Sequence, residues 1–209
     1  MLIPGWPLLL LPVHIVYLEL IIYPACTLVF EAEGAEVNIM RRTLRSPRAR
    51  LFSAPIVAFA LLQGLAVLLV CLAIFGLARL GHSTNAARAL VFAGLVVSEV
   101  MIMLNNRSWT RSALAMLSAP NAAVWRVVAG TCACLALVQE VPRVQRLFQF
   151  APLQATDKAL SLLGGAACLG WFELLKGSRW WRALQDGALA RAAPKSDTVA
   201  AESDQRSSP

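Results

Sequence analysis

Charge is scarce in this chain of 209 residues. Asp, Glu, Lys and Arg together make up 15% of it, against roughly 25% in soluble domains. That shortfall excludes an ordinary soluble globule, and a mean hydropathy of +0.62 excludes a disordered or linker chain as well. Histidine is nearly missing: His14 and His82 stand isolated, and neither is assigned a role. The five cysteines, Cys26, Cys71, Cys132, Cys134 and Cys168, are odd in number and lie in apolar stretches, so neither a disulfide framework nor a zinc site is expected. Cys132 and Cys134, two positions apart on a helix, point about 160° away from each other, which suits small buried hydrophobes better than a ligand pair. There is no P-loop and no metalloprotease motif. No Lys or Arg precedes Arg41, and a secretory signal needs a positive leading region, so the apolar start is expected to be retained as a membrane span.

What the chain does have is apolar length. Hydrophobic residues make up 58% of it, and one membrane span needs about 20 of them. Five long stretches carry no charge or a single acidic residue. They run from about Leu8 to Phe30 with Glu19 inside, Ala54 to Ala78 with none, Ala89 to Leu104 with Glu99, Val127 to Leu137 with an extension past Glu140 to Pro142, and Ala159 to Leu175 with Glu173. The expected fold is therefore all-α, a polytopic membrane bundle of about five transmembrane helices. Basic residues gather in cytoplasmic loops. With five spans, Arg41, Arg42, Arg45, Arg48 and Arg50, then Arg107, Arg111 and Arg126, and then the set from Lys176 onward all fall on one side. Only Arg79, Arg88, Arg143, Arg146 and Lys158 fall on the other. This predicts an outside N-terminus and a cytoplasmic C-terminus, with Trp125, Trp171, Trp180 and Trp181 as an inner interfacial belt. The net charge of +7 is then a topology and lipid-headgroup signal, and no nucleic-acid partner is expected.

Two ionisable residues inside the spans call for a reason. Glu19 is the twelfth of the 23 residues in the first span, near mid-membrane, where an ionised acid costs about 2.5–3.5 kcal/mol. Pro24 follows five positions later and, lacking an N–H, frees the carbonyl of Leu20 from an α-helical ladder. A carboxylate and a freed carbonyl at one depth are a means of holding a cation in a broken membrane helix. A protonated structural Glu is the other reading. Glu99 lies toward the inner end of the third span, preceded by Ser98 and followed by Asn105 and Asn106. Ca²⁺ takes about 6–8 oxygens, so a site built from these groups alone is incomplete. His14, five residues from Glu19, is about 140° around the helix from it, which argues against a shared catalytic face. Ala60 and Gly64, and Gly164, Gly165 and Gly170, are expected to serve helix contacts.

With these residues in view, the chain resembles the C-terminal membrane region of cation-transporting P-type ATPases of the calcium-pump-like branch. Leu11-Pro12-Val13-His14 and Leu18-Glu19-Leu20-Ile21-Ile22 resemble the first half of the family's sixth transmembrane helix, and Val29-Phe30-Glu31-Ala32-Glu33 its inner end in bacterial members. Asn38-Ile39-Met40-Arg41-Arg42 and Arg45-Ser46-Pro47-Arg48, with Leu51-Phe52-Ser53, are similar to the basic loop before the seventh helix. Ser98-Glu99 with Leu104-Asn105 resembles the eighth, and Phe150-Ala151-Pro152-Leu153 with Trp171-Phe172-Glu173-Leu174-Leu175-Lys176 the ninth-to-tenth connection and the tenth. The similarity covers about residues 8 to 182.

The resemblance implies metal-ligand roles for Glu19 and Glu99, to which the break at Pro24 adds the backbone carbonyl of Leu20, with Ca²⁺ or Mg²⁺ as the transported ion and a bacterial plasma membrane as the location. Tyr23 and Thr43-Leu44 depart from the pattern, standing where the family has an Asp ligand and a Pro-Pro. A neutral phenol is a poor substitute for a carboxylate toward a hard cation. The family's DKTGT and TGE motifs are absent, so no ATP site, no other cofactor and no enzymatic activity are expected of this chain alone. Residues 1–189 are expected to form the membrane domain and 190–209 a disordered cytoplasmic tail, with Trp180, Trp181, Arg182 and Leu184 in a short interfacial helix. Beginning where the loop before the sixth helix would lie, the chain reads as a detached piece of a pump. Its expected partners are membrane lipid and a chain carrying the remaining helices and cytoplasmic domains. An independent regulatory or scaffold subunit is the competing expectation, and a membrane hydrolase built on His14, Glu19 and Glu99 the least favoured.

Overall fold

A computed structural model describes residues 8–32, 54–107 and 121–178. The basic loop after the first span, the Trp180–Trp181 segment and the expected tail lie outside these residues. Among the described residues every regular element is helical. The first span is broken into α1 (Pro12–Tyr17), a π-helical turn (Leu18–Ile22) and α2 (Tyr23–Glu31). It is followed by α3 (Ala54–Ala78), α4 (Thr84–Asn106), α5 (Ala122–Glu140), the short α6 (Pro142–Phe148) and α7 (Ala155–Gly177). Five stretches are long and apolar enough to cross a membrane: Pro12–Glu31, Ile56–Ala78, Thr84–Asn106, Ala122–Glu140 and Ala155–Gly177.

Local chemistry sets the helix ends. The Ser83 hydroxyl accepts the N–H of Ala86 at 3.3 Å and opens α4, while the Asn121 side chain accepts from Ala123 and Val124 at 3.0 and 3.3 Å and opens α5, in each case satisfying donors that lack an intrahelical partner. Val141, extended, ends α5, and Pro142 starts α6 at a position where its missing N–H costs nothing. α6 ends at Gln149, whose φ of 52° is left-handed. The Asp157 carboxylate accepts the Gln154 N–H at 3.0 Å at the start of α7.

α4 is the central helix and is buried along most of its length. It packs on α3 and α7, which also touch each other. On its other side the first span lies along α5 and α6. Val67, Cys71, Ile74, Phe75, Leu90, Val91, Cys168 and Phe172 fill the α3–α4–α7 core. Tyr17, Ile22, Phe92, Val96, Val138, Phe148 and Phe150 fill the opposite core. The two ends of the bundle are tied separately. At one, here the upper end, Ala151 N–H donates to Asn85 and His82 faces Asp157 at 3.0 Å. At the lower end, Gln63 and Asn106 exchange amide hydrogen bonds of 2.9 and 3.2 Å, and the Lys176 amine binds the Asn105 carbonyl.

Three spans are longer than the charge-free stretches suggest, because charges sit inside their first or last turns. α4 begins at Thr84 and takes in Arg88, which is buried with its N–H groups on Leu8 O, Asn85 Oδ1 and Gln149. α5 begins at Ala122 and takes in Arg126, exposed at the lower end. α7 takes in Asp157, Lys158 and Lys176, each held by a partner. The glycines divide as well. A Cβ at Gly165 would lie 2.2 Å from Val97 Cγ1, and one at Gly164 2.9 Å from Ile74 Cδ1, so these two let α7 approach α3 and α4. Gly64 and Gly170 meet nothing within 4 Å, and Ala60 is exposed.

Candidate cation site on the first span

The π turn determines where the first span opens. Tyr23 N–H is carried onto Leu18 O, five residues back instead of four. The donor due next is residue 24, a proline with no N–H. In this five-residue register the carbonyl facing Pro24 is that of Glu19, whereas in an α-helical register it is that of Leu20. The sequence alone, read as an uninterrupted α-helix, assigns the loss to Leu20. The π turn also takes the Tyr23 N–H away from Glu19 O, which so loses its α-helical donor beside Leu20 O, whose α-helical donor would be the proline. A π turn inside an α-helix is often found at a functional site.

Glu19, Leu20 and Tyr23 share an exposed side of this helix, with Leu20 71% and Tyr23 57% exposed. Thr27 is on that side also, its hydroxyl donating to Tyr23 O at 3.2 Å. The side facing α4 and α5 carries Tyr17, Ile22 and Val29 instead. Glu99 is half-buried on α4. The bundle thus brings Glu19, Leu20 and Tyr23 to one surface, with Glu99 on a separate helix. Among the described residues no three His, Cys, Asp or Glu side chains form a group that could hold a metal ion.

Several polar residues near these acids carry no signal in the composition. Gln63 is the one strongly polar side chain on α3, and its bonds to Asn106 tie α3 to α4 at the lower end. Asn105 is fully buried and neither atom of its side-chain amide has a partner. A lone Gln in an otherwise apolar run of 25 residues is the kind of signal that could have marked the first. Chemically, the exposed side of the first span offers a hard cation one carboxylate, one hydroxyl and the carbonyls released around Pro24, with the Tyr23 phenol as a weak neutral donor.

Residues 7–177 match the family model described as cation transporting ATPase, C-terminus. The chain belongs to this family. No curated protein matches it. The matched region is only the C-terminal membrane domain of a P-type ATPase and does not include that enzyme's catalytic domains. As a cation-transporting ATPase membrane domain with five apolar helices, the protein is an integral, multi-pass membrane protein.

Proposed function

We propose that this ATPase membrane domain serves as a non-catalytic part of a cation pump, joined in the membrane to a partner chain that carries the remaining helices and the ATP-hydrolysing domains. The observation that carries this reading is the exposure of Glu19 beside Leu20 and Tyr23 on the open side of a helix that is packed on its other side. Left against lipid, an ionised Glu at that depth costs about 2.5–3.5 kcal/mol. Helices from the partner remove that cost and supply the oxygens that Glu19, Glu99 and the carbonyl of Leu20 leave missing. The cargo is Ca²⁺ or Mg²⁺, held by carboxylate and carbonyl oxygens, and the membrane is the bacterial plasma membrane.

Tyr23 supports a second version, in which the bundle persists as a regulatory or scaffold subunit that moves no ion. A photo-crosslinker placed at Leu20 separates the two. Capture of a chain bearing a DKTGT phosphorylation motif supports the pump reading, and recovery of only a homo-oligomer would sink it. Calcium and magnesium binding to the captured complex, compared with Glu19→Gln and Tyr23→Asp, then reads the ion site. Loss of binding in Glu19→Gln supports ligation. Binding that appears only in Tyr23→Asp assigns the chain to the subunit version.

A further inference from the structure

His14 is fully buried near the upper end of the first span, and both of its ring nitrogens are engaged. The Leu11 N–H donates to Nδ1 at 3.0 Å, so Nδ1 must keep its lone pair. Nε2 lies 3.0 Å from the carbonyl oxygen of Phe148, so Nε2 must carry the hydrogen. The arrangement accepts one state of the ring, the neutral Nε2–H tautomer. Phe92, Phe148 and Phe150 surround it with centroids 5.1, 5.6 and 5.0 Å away.

The first bond caps the start of α1 from three residues away, and the second joins it to the end of α6, 134 residues away in sequence. Arg88 of α4 makes a parallel connection, donating to Leu8 O at 3.0 Å and to Gln149 Oε1 at 3.2 Å. The groups that bear on His14 are therefore known from each side. α4 contributes the Arg88 cation, which acts on it electrostatically, and the Phe92 ring. α6 and the residues after it contribute the Phe148 carbonyl and two aromatic rings. Its own helix contributes the neutral Tyr17 phenol, whose ring packs on the same Phe92 and Phe148. No carboxylate appears in that set.

We propose that His14 is a proton-sensitive latch on the first turn of the span: as the neutral imidazole it accepts the Leu11 N–H at Nδ1 while Nε2–H donates to the Phe148 carbonyl, and uptake of a proton at Nδ1 releases the Leu11 end while the Nε2–H bond to Phe148 is kept. An imidazolium has two donors and no acceptor. Protonation therefore sets an N–H against the Leu11 N–H, and it adds a second positive charge to a site that already holds Arg88 and, among the described residues, no anion. The Arg88 bonds remain, so the expected opening is local to Leu8–Leu11 and the first turn of α1. The latch uses neither Glu19 nor Tyr23 and stands whether or not the bundle carries an ion.

The test uses the full chain in lipid nanodiscs, labelled with ¹⁵N in the histidine rings, in the His82→Asn background so that one ring reports. At neutral pH the ring is expected to show the Nε2–H tautomer. As the imidazolium form appears on acidification, hydrogen exchange across residues 8–17, corrected for the intrinsic pH effect, is expected to lose protection by at least about tenfold. His14→Gln keeps one donor and one acceptor, and its protection is expected not to change over the same range. An Nδ1–H tautomer or an imidazolium at neutral pH overturns the latch, as does equal acid loss in His14→Gln. Should that variant not fold, the His82→Asn protein alone decides: ring titration without loss of protection overturns the proposal, and coincidence of the two supports it.

Discussion

Gly165 shows how little room the α4–α7 seam leaves. A methyl group there would sit 2.2 Å from Val97 Cγ1 and 3.2 Å from the Val97 backbone carbon, and backbone on a central helix cannot step aside as a side-chain tip can. Gly165→Ala is therefore expected to destabilise the bundle by about 1–3 kcal/mol, the usual cost of overpacking. Gly170→Ala, with nothing within 4 Å, is expected to be neutral or slightly stabilising, since Ala is the better helix former. Thermal unfolding of the two variants in the same detergent measures the contrast, and equal melting temperatures would refute it. Asn105 makes the converse case. Its buried side-chain amide has no partner, and leaving such a group unpaired costs about 1–3 kcal/mol. Asn105→Leu should raise the stability of the purified chain in a denaturant titration, while its carbonyl goes on accepting from Lys176. A fall in stability would mean that the amide is satisfied by something in the membrane-embedded protein.

At the scale of the element, the first span is a helix whose ladder is interrupted at one place for one covalent reason. Tyr23 N–H reaches Leu18 O, and Pro24 has nothing to offer the next carbonyl. Pro24→Ala restores that donor and allows Tyr23 N–H to return to Glu19 O. The expected result is an uninterrupted α-helix, more stable by up to about 3 kcal/mol, with weaker Ca²⁺ or Mg²⁺ binding in the assembled complex because the free carbonyls are gone. Isotope-edited infrared spectra of the carbonyls of Glu19 and Leu20 should move to hydrogen-bonded frequencies in the variant, and unchanged bands would show that the π turn does not depend on the proline. The break was legible in the sequence from Pro24, but its register was not. A π turn costs one extra residue per turn and has no signature in composition, so an α-helical count put the freed carbonyl at Leu20. The outward direction of Glu19 was hidden for a different reason. In lipid, the buried and exposed sides of a helix are both apolar, so periodicity, which in a soluble protein separates core from surface, does not separate α4 from solvent-like lipid at Leu20, Leu61 or Leu65, all of them exposed.

For the whole molecule, the number and order of the spans were legible because charged residues mark their ends, and the family was legible because its motifs are contiguous in sequence. The ties that close the bundle were not, since His14 to Phe148 and Arg88 to Leu8 join residues far apart in the chain that carry no mutual signal. Orientation is a prediction from the charges at the span ends. Among the described residues the upper end holds Arg79, His82, Arg88, Arg143, Arg146 and Lys158, and the lower end Arg107, Arg126 and Lys176. With the Arg41–Arg50 stretch counted from the sequence, the positive-inside rule predicts a cytoplasmic lower end. The five native thiols all lie within helices that cross the membrane, so a membrane-impermeant maleimide should find the unmodified chain nearly silent. Leu80, 85% exposed in the turn between α3 and α4, gives an upper-end reporter as Leu80→Cys, and Ser178, just beyond α7, gives a lower-end reporter as Ser178→Cys. Leu80→Cys is expected to label in intact cells and Ser178→Cys only after the membrane is opened. The reverse pattern would place the basic ends outside, and with them any face that a cytoplasmic phosphorylation domain must reach, which would remove the geometric basis for pairing this bundle with a pump.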